Sequence, residues 1–101
     1  MLNMFRIGTA CGSGLGSSFM LEMNIEKVLK EVGADISKID VTHYDMGSVT
    51  KDAADVWFVG KDLEDATSGL GDVRILDSII DMEELREKVL QVVEENNLIK
   101  N

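Results

Sequence analysis

Cys11 is the only cysteine in the chain. It opens the stretch Cys11-Gly-Ser-Gly-Leu-Gly-Ser-Ser18, in which three glycines and three serines stand between an apolar run and a helical pattern. Glycines tolerate backbone angles that let successive N–H groups point at one anion, and a helix N-terminus adds partial positive charge. The residue types therefore point to an anion cradle with a thiol at its mouth. In such a place the dipole and the N–H groups favour the thiolate, which is the nucleophile. The same donors would hold a phosphoryl group once it was attached to sulfur. The plainer role of a lone cysteine is that of a small buried hydrophobe, and this setting argues against it.

The spacing narrows the chemistry further. Gly12-Ser-Gly14-Leu-Gly16 is G-x-G-x-G, which departs from the G-x-G-x-x-G dinucleotide fingerprint, and the lysine of a nucleotide-triphosphate P-loop is missing. Low-molecular-weight thiol phosphatases place an arginine six residues after the cysteine and an acid in an Asp-Pro loop. Here the sixth residue is Ser17, the chain has no proline, and no Lys or Arg occurs between Arg6 and Lys27. A hydrolase of that type would lack both its fixed cation and its proton donor. A loop that binds phosphate through neutral donors and recruits no water suits a carrier that hands phosphate on.

The elements that must position this stretch follow from periodicity. Phe5 to Ala10 is short and apolar apart from Arg6, as a central parallel strand should be. A helix follows from about Ser17, with Leu21, Ile25, Val28, Leu29 and Val32 on one stripe and Gly33 as its stop. Phe19 and Met23 project nearly opposite that stripe with Met20 beside them; they are either buried against a neighbouring element or a soft docking rim beside the thiol. Ile39 to Tyr44 alternates as a second strand, and Ser48 is placed to cap a short helical turn reaching about Ala54. Val56-Trp-Phe-Val59, closed by Gly60, reads as a fully buried strand, and Val73 to Leu76 as a shorter one. Asp81 with Glu84 resembles a capping box that opens a last helix to about Asn96.

Alternating strands and helices argue for one α/β domain over residues 1–101, an open parallel sheet with helices on both faces. Ligands of such sheets bind beyond the carboxyl ends of the strands. That edge collects Cys11, then His43 to Ser48, Gly60 to Asp62, and Asp77 with Ser78. The lone histidine, His43, has no second His or Cys with which to share a metal, so no metal and no cofactor is expected. His43 is assigned no role, and Asp45 and Ser48 at most shape the site.

Composition bounds the partners. A net charge of −9 leaves no clustered basic surface for nucleic acid. No segment approaches the ~20 apolar residues that span a bilayer, so any membrane association must come through a partner. One cysteine and no basic-then-apolar leader point to a reducing cytosol.

The stretch Cys11-Gly-Ser-Gly-Leu-Gly-Ser-Ser-Phe-Met-Leu-Glu-Met-Asn24, after a short apolar strand, resembles the IIB component of the bacterial sugar phosphotransferase system, specifically the ascorbate-type group within the lactose, ascorbate and galactitol IIB-like set. That resemblance implies a four-stranded parallel sheet of order 2-1-3-4 in a cytoplasmic protein. It also implies that Cys11 takes a phosphoryl group from a phosphohistidine on a IIA component and passes it to a sugar held by a membrane IIC component. Carried over, Gly12, Ser13, Gly14, Leu15, Gly16, Ser17 and Ser18 are the loop that surrounds the phosphoryl group. The alternatives outside this family are a thiol phosphatase and an anion-sensing regulatory domain.

Overall fold

The computed structural model describes residues 4–10, 15–45, 47 and 49–100, with the backbone alone for 15–18. The chain runs β1 (Phe5–Ala10), α1 (Leu15–Glu31), β2 (Ile39–Tyr44), β3 (Val56–Gly60), β4 (Val73–Leu76) and α2 (Met82–Glu95), with 3₁₀ turns at Ile36–Lys38, Lys51–Ala53 and Lys61–Leu63. All four strands are parallel in the order β2-β1-β3-β4, as expected from the sequence. β1 pairs with β2 from Phe5 opposite Ile39 to Ala10 opposite Tyr44, and with β3 from Ile7 opposite Val56 to Ala10 opposite Val59.

Strand order fixes the layers. The β1-to-β2 connection moves to one side of β1, and the next two connections move to the other side. Right-handed crossovers therefore place the first connection on one face and the next two on the opposite face. The packing agrees. Ile7, Ile39, Val56, Phe58 and Leu76 bury one face against α1 and α2 together. Ala10, Trp57 and Val59 bury the other against the shorter cover formed by Val49, Ala53, Ala54, Leu63 and Leu70. Both faces thus carry helical cover, but both α-helices lie on one face and only 3₁₀ turns and loops lie on the other. The residues between β2 and β3 are too few for an α-helical crossover, which accounts for the asymmetry.

Local signals explain the element ends. Gly33 takes φ 79° and Ala34 donates to the Leu29 carbonyl at 2.9 Å, which closes α1 at the expected glycine. The turn ahead of β3 forms at Lys51–Ala53, and its N-cap is Thr50 with no side-chain bond; Ser48, the expected cap, lies outside the described residues. Arg74 ties β4 to the end of α2 through Asp72 and Glu95, each at 2.7 Å.

Trp57 anchors the face without α-helices. It is fully buried, meets Tyr44 edge-on with centroids 5.1 Å apart, and lies opposite Gly8 in the register. A Cβ on Gly8 would stand 2.5 Å from Cζ3 of the indole ring. Gly8 is required for close approach, and the ring has no solvent into which to retreat. We expect Gly8→Ala to destabilise the fold by about 1–3 kcal/mol through overpacking. A lowered urea midpoint followed by the fluorescence of Trp57, the sole tryptophan, would show it.

Candidate functional site at the carboxyl edge of the sheet

β1 is central and ends at Ala10, and α1 begins at Leu15, so residues 11–14 connect the middle of the carboxyl edge to a helix N-terminus. Cys11, Gly12, Ser13 and Gly14 lie outside the described residues. The helix starts two residues before the expected Ser17, so Leu15, Gly16, Ser17 and Ser18 form the first turn of α1 and not a free loop. Glycine and serine lack the periodic signal that marks a helix, which hid this start. The first N–H groups of a helix have no intrahelical acceptor, so such a turn carries donors of the kind an anion needs.

Phe19, Met20 and Met23 follow on the exposed flank of α1, at 47%, 39% and 53% of full exposure. Of the two readings open for them, burial against a neighbouring element is ruled out within the described chain. Phe19 stands edge-on to His43, with ring centroids 5.3 Å apart and planes at 67°.

His43 is held by a residue that the sequence did not single out. Oε1 of Glu22 accepts the backbone N–H of His43 at 2.8 Å and also meets Nδ1 of its ring at 2.8 Å. The Glu22 side chain is 15% exposed and that of His43 34%. Glu22 reads as a polar-face residue, since helical periodicity does not show what sits across from a helix flank. A usable signal was the alternation Ile39, Val41, His43, which turns all three toward α1. Thr9, the register partner of His43, is fully buried on the same side of β1.

The other strand ends contribute less than expected. Asp77 and Ser78 turn their N–H groups onto the Glu84 carboxylate at 2.8 and 3.1 Å. Glu84 therefore clamps the turn after β4 instead of closing the capping box back onto Asp81. Asp81 itself accepts from Glu83 and Glu84 as the N-cap of α2. At the end of β3, a Cβ on Gly60 would meet the Asp62 carboxylate at 2.6 Å. Asp45, Asp62 and Asp77, each just beyond a strand end, are exposed, with Lys61 the cation among those positions. A groove lined by Met23, Leu29, Ile36, Ile39 and Val41 runs toward the amino end of β2, away from this edge. No group of residues suited to a metal occurs among the described residues.

A family model for the lactose/cellobiose-specific IIB subunit of the PTS system matches residues 6–91. The chain belongs to this family. Membership makes it a phosphotransferase component of the sugar phosphotransferase system, in which IIB domains work with IIA and IIC components. No curated protein matched the chain. Among the described residues of this IIB domain, no helix is long and apolar enough to cross a membrane.

The Glu84 clamp is separable from the connection between β1 and α1. Glu84→Ala should cost about 1–3 kcal/mol, since two N–H groups lose a charged acceptor. Faster hydrogen exchange at the Asp77 and Ser78 amides, with α1 amides unchanged, would report it.

Proposed function

We propose that this IIB domain is a phosphocysteine carrier. The Sγ of Cys11 attacks the phosphorus of a phosphohistidine on a IIA component. The P–N bond breaks, its electron pair goes to the imidazole nitrogen, and an S–P bond forms. The phosphoryl group then passes to a hydroxyl of a sugar held by a IIC component, and the thiolate leaves. The observation that carries this reading is the position of the only cysteine, in the four residues joining central strand β1 to the N-terminus of α1.

Phosphoryl transfer needs positioning and charge stabilisation more than elaborate side-chain chemistry. Neutral N–H donors of residues 12–18 and the start of α1 serve both needs. Phe19, Met20 and Met23 are the proposed surface on which IIA and IIC dock in turn, because they are exposed and apolar on the helix that begins at the site. An ascorbate-like acceptor rests on the resemblance of Cys11 to Asn24 to ascorbate-type IIB proteins. The sugar itself is held by IIC, so this chain needs no sugar pocket, and its setting is the cytoplasm beside that membrane partner.

Incubation with the general phosphorelay proteins and a cognate IIA should add one phosphate by intact mass. It should be acid-stable, iodine-labile and located on Cys11. Cys11→Ser should abolish relay to sugar, and undiminished relay in that variant would defeat the assignment. Turnover of p-nitrophenyl phosphate without relay proteins would instead identify a thiol phosphatase. Phosphate binding with no covalent adduct would identify an anion sensor.

A further inference from the structure

We propose that the groove beside the free edge of β2 is a docking site for a short extended segment of a partner protein, one that carries an apolar residue followed two positions later by an acidic one. β2 ends the sheet, with β1 on one side only. Arg6 donates its backbone N–H to Asp55 and its carbonyl accepts from the Asp55 N–H, so the even residues of β1 face β3 and the odd ones face β2. In β2 two backbone bonds fix the parity: the Ile39 N–H donates to the Ile36 carbonyl, and the His43 N–H to Glu22 Oε1. Neither goes to β1. Successive residues of a strand turn their backbone groups to opposite sides, so Val41, midway between these two, also faces outward. Among the described residues no hydrogen bond reaches its N–H. An open edge of this kind is a template for an added strand.

On the α1 side the same stretch of β2 opens onto an apolar groove. Met23, Leu29, Ile36, Ile39 and Val41 line it, and Met23 and Ile36 are 53% and 48% exposed. The charged groups of its lining are Lys27 and Lys30, one and two turns beyond Met23 on α1, and Glu26. Arg6, Lys38, Arg74, Arg86 and Lys88 each pair with a carboxylate, whereas Lys27 and Lys30 pair with none among the described residues. In a chain of net charge −9, two unengaged ammonium groups beside an apolar floor make a local field opposite in sign to the whole.

These features select the occupant. Exchange of both N–H···O bonds with one opposite residue is the antiparallel pattern, and it puts the side chain opposite Val41 on the groove face. That residue is the apolar one. The residue two positions later stands opposite Ile39 on the same face, toward Lys27 and Lys30, and is the acidic one. Strand addition draws affinity from main-chain bonds and specificity from such alternate side chains. The Ile36 carbonyl and the Glu22 carboxylate already take the N–H groups on either side, which limits the added strand to about three paired residues. A second copy fits poorly. Twofold pairing of β2 would join two chains of net charge −9 and oppose two acceptors, Glu22 of one copy and the Ile36 carbonyl of the other. An anionic membrane surface would engage the lysines but is flat where this site is concave.

The probe is the peptide acetyl-Thr-Val-Thr-Glu-Thr-Glu-Thr-amide, titrated into the full nitrogen-15-labelled chain and followed by amide shifts. It should move the amides of Ile39 and Val41 and those of Met23 and Lys27, and leave α2 unmoved. The same peptide with lysine in place of glutamate should bind about tenfold more weakly or worse, and Lys27→Glu combined with Lys30→Glu should reverse that preference. Val41→Pro removes the outward N–H, a change that edge strands accept, and should weaken the acidic peptide about tenfold. Far-ultraviolet circular dichroism reports whether each variant is folded. Unmoved Val41 at millimolar peptide, equal binding of the two peptides, or undiminished binding to folded Val41→Pro would each overturn the proposal. If Val41→Pro does not fold, the charge-reversed pair decides. Val41 shifts that follow protein concentration without peptide would assign the edge to a second copy instead. Sedimentation with phosphatidylglycerol vesicles, lost on reversing Lys27 and Lys30, would assign it to a lipid surface; either result overturns the proposal.

Discussion

The structure depends on the burial of β1 between two parallel neighbours. Ile7, Gly8, Thr9 and Ala10 are all buried, so the strand has no free edge and its backbone groups are satisfied laterally. It must leave the sheet at the carboxyl edge, and its crossover must return over one face to reach β2. The N-terminus of α1 therefore arises after a four-residue connection from the strand, in the middle of the sheet edge. A helix N-terminus at this position follows from chain connectivity before any side chain is chosen, and open parallel sheets bind their ligands at such an edge. The packing that holds α1 there is apolar and distant from the chemistry, through Leu21, Ile25, Val28 and Leu29 on one side and α2 on the other.

How much of this the sequence disclosed depended on whether the signal was local. The strands carry compact runs such as Val56-Trp-Phe-Val59, and their limits follow from composition. Gly33 stops α1 because its backbone needs φ 79°, a requirement written into one residue. The start of α1 is less visible, since Leu15 to Ser18 is helical only because the chain must turn over the sheet there. The Glu22–His43 contact is less visible still. It pairs residues 21 apart, and each looks ordinary in its own element. The placement of both α-helices on one face also escapes periodicity, which shows that a helix has an apolar stripe but not which side of a sheet receives it.

Electrostatics set the character of the edge. The protein is acidic overall, and aspartates stand beyond β2, β3 and β4. Such surroundings raise the energy of a bound phosphate relative to a site lined with arginine, because the nearby charges repel it. Backbone N–H groups and the helix terminus offset that repulsion only over short range. The same acidic rim favours a partner with a basic face, so approach of donor and acceptor would be steered without fixing the phosphoryl group in place.

For the proposed carrier, that balance suits a group that arrives and leaves through the same site. A fixed cation touching the phosphoryl oxygens would stabilise the bound intermediate as much as the transition state, and uniform stabilisation of that kind slows departure. The carboxylate of Glu22 has a different part: one of its oxygens meets both the backbone N–H and the ring Nδ1 of His43 at 2.8 Å, which fixes the end of β2 against α1. At 15% exposure of the Glu22 side chain, that contact is little screened by water.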